Sequence, residues 1–168
     1  MPRLHALELI PDEDGQDAVR RDWHALREAG LRSQAELVSP MDTPHLTLVT
    51  APFLPEAAID VAVARLGSLL PIQARVAGLV VLGGRRVTIA RAVDIDDDVV
   101  RRVLAMRVQV PDRQHEGWLP HVTLARRVDR SLVQRAVDAL GHEDVVLNLT
   151  ELRRWDPEKN YVTTIAQS

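Results

Sequence analysis

Residues 44–48 read PHLTL, and 76 positions on, at 120–124, the chain reads PHVTL. Of the 6 histidines in 168 residues, two sit in this one frame. The surroundings match as well. After each frame comes a helix-spaced run ending in Leu-Gly (66–67 and 140–141), then a strand pattern and a turn. Next comes a β-branched run, RRVTIARA at 85–92 and NYVTTIAQ at 160–167. His45 lies 42 residues before Val87, and His121 lies 41 before Val162. Each frame is preceded by a strand pattern and an acidic-headed helix. Order and spacing of this kind describe one β/α unit written twice. The chain is therefore expected to form two pseudo-symmetric lobes of one α+β domain spanning 1–168, with an internal repeat of about 76 residues. Each lobe is an antiparallel sheet with helices on its outer face, and a central cleft carries the two His-x-Thr strands.

The elements follow from local periodicity. LHALELI at 4–10 alternates as a strand does. Val19, Trp23, Leu26 and Ala29 share one face of a helix over 16–29, closed by Gly30. HLTLVT at 45–50 is a strand, and Ile59, Val63 and Leu66 stripe a helix stopped by Pro71. Residues 72–82 and 85–93 pair through a turn at Gly83-Gly84, with Gly78 as a bulge. Asp96, Asp97 and Asp98 open a helix carrying Val100, Val103 and Leu104, their charges suiting its positive end. A polar loop over 109–118 leads into the strand HVTLAR, then a helix with Leu132, Ala136 and Leu140. Two last strands, DVVLNLTEL and YVTTIAQ, join around Asp156-Pro157.

On a strand, residues i and i+2 share a face about 6.5 Å apart. His45 and Thr47 are thus presented together, as are His121 and Thr123, while Leu46, Leu48, Val122 and Leu124 supply the core side. Pro44 and Pro120 bias the residues before them toward extended backbone, which helps each strand to start. Two imidazoles facing one cleft form an acid–base pair that works near neutral pH: one takes a proton from an attacking water or hydroxyl, the other gives one to the leaving oxygen. Threonine hydroxyls can donate to non-bridging phosphate oxygens. The set suits phosphodiester cleavage without a metal, above all where a 2′,3′-cyclic phosphate is involved. A fold duplication alone would repeat the apolar positions; it would not need to repeat the His and the Thr.

Other chemistries find little support. The chain has no cysteine, which excludes thiol catalysis, disulfides and cysteine-ligated zinc. No histidine pair has zinc-motif spacing, and no phosphate-binding glycine loop, G-x-S-x-G or EF-hand ligand pattern occurs. The formal net charge of −3 makes any nucleic-acid contact local rather than global. With 46% hydrophobic and 27% charged residues, no signal pattern and no apolar run of membrane length, a soluble cytoplasmic monomer is expected.

Two H-x-T motifs on strands of a duplicated chain resemble the 2H phosphoesterase superfamily, in particular its 2′-5′ RNA ligase-like RNA 2′,3′-cyclic phosphodiesterases. The resemblance spans nearly the whole chain. It implies metal-independent chemistry with no cofactor, His45 and His121 as catalytic acid and base in unassigned order, and an RNA end or small nucleotide with a cyclic phosphate as ligand. PHVTLAR is the fuller match and implies Arg126 as a phosphate contact beside Thr47 and Thr123. On a regular strand Arg126, five residues past His121, falls on the opposite face; it reaches the cleft only through a bulge or a strand end. The first frame departs: Val49 stands where the ligase-like branch often has Arg, and Pro52-Phe53 follows. The expected activity is hydrolysis of 2′,3′-cyclic phosphates to 2′-phosphates. The alternatives are 2′-5′ RNA ligation or 2′-5′ bond cleavage, and a non-catalytic nucleotide- or RNA-binding module.

Among the remaining candidates, His5 is read as structural, His24 as surface, His115 as loop and His142 as helix end. Phe53 and Tyr161 are possible base-stacking residues that could equally be core. Arg85, Arg86, Arg153 and Arg154 are read as solvated strand ends that could rim a phosphate backbone.

Overall fold

Among the described residues, seven strands and four α-helices follow one another along the chain: β1 (His5–Pro11), α1 (Glu13–Glu28), β2 (Leu46–Ala51), α2 (Glu56–Leu66), β3 (Ile72–Gly83), β4 (Arg86–Ile95), α3 (Asp97–Arg107), β5 (His121–Asp129), α4 (Val133–Leu140), β6 (Val145–Asp156) and β7 (Tyr161–Gln167). The computed structural model describes residues 3–36 and 42–168.

Local chemistry explains where these elements begin. The Asp12 side chain accepts from the Gly15 amide at 2.8 Å and caps α1, while Glu13 and Asp14 face its positive end. Asp96 caps α3 through the Asp98 amide at 2.8 Å. The β3–β4 hairpin turns at Gly83, whose φ is +118° and whose missing Cβ would stand 2.7 Å from the Arg86 carbonyl, so only glycine fits. Gly78, at φ +69°, sits where the β3–β4 register slips between Ala77 and Leu79, the expected bulge.

All the pairings are antiparallel, and the strands form one sheet in the order β2-β1-β6-β3-β4-β5, with β7 also on β6. The 12-residue β6 joins the two halves. Residues 149–155 pair with β1 and 151–156 with β7, while 145–149 pair with β3. The α+β class with antiparallel sheet follows. The end strands β2 and β5 are not paired, yet their backbones come within 8 Å of each other. The sheet therefore bends until the strands carrying the two His-x-Thr frames face one another.

The helices cross between the halves. α1 packs against α4 and β5, and α3 packs against α2 and β2. Two stripes differ from the expected ones. In α2 the buried residues are Ala58, Ile59, Ala62 and Leu66, with Val63 exposed. In α3 they are Val99, Val103, Met106 and Arg107, with Leu104 exposed. Each helix is rotated relative to the assumed stripe because it wedges between a sheet face and a second helix, which no single-helix period encodes. No helix among the described residues is long and apolar enough to cross a membrane.

Candidate active site

Both His-x-Thr strands carry the same irregularity. In β2 the ladder to β1 passes from Val49 opposite Leu7 to Thr47 opposite Glu8, leaving Leu48 as the extra residue. In β5 the ladder to β4 passes from Ala125 opposite Ile89 to Thr123 opposite Ala90, leaving Leu124 extra. A bulge disrupts local pairing, and at both places an indole supplies a donor. Trp118 Nε1 donates to the Thr47 carbonyl at 3.0 Å, and Trp23 Nε1 to the Thr123 carbonyl at 3.2 Å. Neither threonine hydroxyl has a protein partner among the described residues.

The histidines are held alike on one side. His45 Nδ1 lies 2.8 Å from the Thr43 carbonyl and His121 Nδ1 lies 2.7 Å from the Leu119 carbonyl. A carbonyl only accepts, so each Nδ1 carries the hydrogen and each Nε2 is left for other chemistry. The other sides differ. His45 Nε2 is 3.1 Å from Glu8 Oε2, whereas His121 Nε2 has no partner among the described residues. Glu8 is buried on β1 and its Oε1 accepts from Arg153 Nε at 2.9 Å.

A cleft of about 350 Å³ opens beside these strands, lined by Thr47, Leu48, Val49, Thr50 and Leu82 together with Arg107, His115, Trp118 and His121. Thr47 and His121 thus share one cavity, while His45, Thr123 and Arg126 lie outside its lining. Arg107 fixes the far wall. Its guanidinium donates to the Leu48 carbonyl at 2.7 Å and to those of His115 and Gly117 at 2.6 and 2.9 Å, pinning the 108–120 loop onto β2. Burial lowers the Arg107 pKa from its ordinary value, and Arg113 nearby lowers it further. A larger hollow of about 660 Å³ lies by Arg75, Asp94 and the head of α3. Asp96, Asp97 and Asp98 give it the wrong sign for a phosphate.

Arg126 is exposed on β5. Beyond Ala125 the ladder resumes with Val128 opposite Val87, so Arg126 and Arg127 together face Thr88, and Arg127 adopts φ +57°. With the extra residue at Leu124, this register sets Arg126 on the same side as Thr88 and its partner Leu82, a cleft residue. The bulge that a cleft-facing Arg126 requires is present. Thr50, three residues past Thr47 as Arg126 is past Thr123, lines the cleft.

Other candidates separate clearly. His5 is buried on the face of Leu7 and Leu9, away from Glu8 and the cleft. His24 and His142 are exposed, and exposed His115 borders the cleft. Phe53 and Tyr161 are both largely exposed and so are not core. Arg153 is no solvated strand end: it is 5% exposed and paired with Glu8. Arg154 reaches Glu56 at 3.5 Å. Glu8, Arg107 and Trp118 went unnoticed in the sequence. For Arg107 a signal existed, since it stands four residues past Val103 on the buried stripe of α3.

Three comparisons bear on this geometry. The model of the 2′-5′ RNA ligase superfamily matches residues 15–160. A comparison with curated protein sequences finds no match. Among solved structures, E. coli LigT in apo form is similar with a TM-score of 0.60 at 13% identity, covering 99% of this chain and 96% of that one. TT0787 of Thermus thermophilus gives 0.58 at 17%, covering 98% and 96%. E. coli LigT complexed with 3′-AMP gives 0.53 at 12%, covering 99% and 95%. These likenesses extend to the fold.

Proposed function

This chain belongs to the 2′-5′ RNA ligase superfamily, and from that premise we propose that it is a metal-independent phosphodiesterase opening 2′,3′-cyclic phosphates of RNA ends or nucleotides to 2′-phosphates. The observation that carries the reading is the matched setting of His45 and His121, each with Nδ1 tied to a backbone carbonyl two residues back. That contact fixes the ring and leaves Nε2 to handle a proton. In the reaction one Nε2 takes a proton from water as its oxygen attacks phosphorus. The other Nε2–H protonates the ribose 3′-oxygen as its bond to phosphorus breaks. Thr47, Thr123 and Arg126 donate to the non-bridging oxygens, where negative charge gathers in the transition state. The chain acts as one bilobal domain, because its site needs a strand from each half.

The nucleotide in the LigT complex, 3′-AMP, is of the size and charge that such a cleft would hold. The family's description favours a second reading on the same residues, making or breaking 2′-5′ bonds. Incubation with 2′,3′-cyclic nucleotides, 2′-5′ oligoadenylate and RNA bearing a cyclic end, followed by phosphorus NMR, separates the two. Conversion of the cyclic substrates to 2′-phosphates is expected. Cleavage of the oligoadenylate alone would favour the second reading, and no turnover of any substrate would defeat both.

A further inference from the structure

The start of β1 carries a buried histidine that the cleft does not use. His5 is 5% exposed, and its Nδ1 is closed off from solvent with no hydrogen-bond partner among the described residues. A buried polar nitrogen left in this way is unusual and calls for a reason. Two carboxylates stand beside it. In the β1–β6 ladder Ala6 pairs with Trp155, so His5 and Asp156 lie one step further along the same two strands. Glu158 follows in the turn from β6 to β7. One ring nitrogen of His5 and one carboxylate oxygen each of Asp156 and Glu158 lie within 4.8 Å of one another.

The turn holds these groups in place. Asp156 Oδ1 accepts from the amides of Glu158 and Lys159 at 3.0 and 3.2 Å, which closes the turn and leaves Oδ2 without a partner among the described residues. Arg3 Nη1 donates to the Pro157 carbonyl at 3.1 Å and ties the chain before β1 to the same turn. The Glu158 carboxylate is exposed and makes no hydrogen bond or ion pair among the described residues. The cations on these segments, Arg3 and Lys159, form no ion pair with either carboxylate among the described residues. Two carboxylates beside a neutral imidazole therefore carry two negative charges, which a divalent cation balances.

Ligand type selects the ion. An all-oxygen set suits magnesium or calcium, and thiolates suit soft ions; one imidazole with two carboxylates suits zinc and its divalent transition-metal neighbours. Zinc bonds to such ligands run about 2.0–2.2 Å, so ligand atoms on one ion are at most about 4.4 Å apart. A small rotation of the exposed Glu158 side chain brings the three groups to that spacing. We propose that His5, Asp156 and Glu158 form a divalent metal site of the zinc class that clamps the start of β1 to the β6–β7 turn. The three groups meet only in the folded chain, so the ion stabilises the fold by mass action. None of the three lines the cleft. The clamp steadies a sheet already closed by its ladders and takes no part in chemistry at the cleft.

Zinc alone, added to the chelator-treated chain, tests this with no substrate. At about pH 7.5, about one unit above the ordinary histidine pKa, a free imidazole is mostly neutral and able to ligate. Long-range proton–nitrogen NMR should show a His5 ring nitrogen shifting with the first equivalent of zinc, while the rings of His45 and His121 do not move. The thermal unfolding midpoint should be higher with zinc than in EDTA. Glu158→Gln removes one ligand at an exposed position, where the fold is not at stake. Calorimetric titration of that variant should show zinc binding at least about tenfold weaker, the least that losing even a group behind the ligands costs. A first equivalent that leaves His5 unmoved and shifts His45 or His121 overturns the proposal. So does a Glu158→Gln chain that binds zinc as tightly as the wild type. None of these readouts depends on turnover, so the outcome stands apart from the function proposed above.

Discussion

At His45 and His121, each at the start of its strand, one short contact from Nδ1 to the carbonyl two residues back makes the ring a candidate proton carrier. Arg126 works differently. It is exposed, and the extra residue at Leu124 sets it on the same side of the sheet as Thr123. A hydrogen bond to a charged group contributes about 1.5–3 kcal/mol, less where solvent screens it. Arg126→Ala is therefore expected to lower kcat/KM about tenfold, mainly by raising KM. Steady-state kinetics on a 2′,3′-cyclic nucleotide would check this, and an unchanged KM would remove Arg126 from the site. The two frames of this candidate site were legible in the sequence because two copies of H-x-T at matching points exceed what packing requires. Glu8 was not. It looks like an ordinary polar position on an alternating strand, and its partner Arg153 lies 145 residues away. Only cross-strand register brings them together, and local periodicity carries no register.

Among the elements, strands and helices were legible nearly to their ends, because caps and turns are local chemistry. The head of α3 at Asp96 is an example, whereas α1 begins at Glu13, three residues before the expected start; its cap is testable, since Asp12→Ala should destabilise the protein by about 1 kcal/mol through the lost bond to the Gly15 amide. Urea unfolding would measure it, with an unchanged m-value showing that the fold persists. Helix facing was less legible. Val63 and Leu104 continue plausible apolar stripes yet are exposed, because α2 and α3 pack on each other as well as on a sheet face. The bulges at Leu48 and Leu124 were also hidden. Leu-Val and Leu-Ala look like any apolar pair, and what marks the sites as bulges is an indole donated from Trp118 or Trp23, far off in sequence.

Over the whole molecule, the sheet brings its two end strands together while the helices cross from one half to the other. The cleft draws its lining from both halves: Thr47 comes from β2, His121 from β5, and the loop beside them is pinned by Arg107 from α3. The proposed chemistry requires both histidines and no metal. The direct measurement is hydrolysis of a 2′,3′-cyclic nucleotide in excess EDTA by the wild type, His45→Ala and His121→Ala. Positioned acid–base groups contribute about 10²–10⁴-fold each, so the wild type should keep its full rate in EDTA and each variant should lose at least about 100-fold. A wild type silenced by EDTA, or either variant near the wild-type rate, would contradict it.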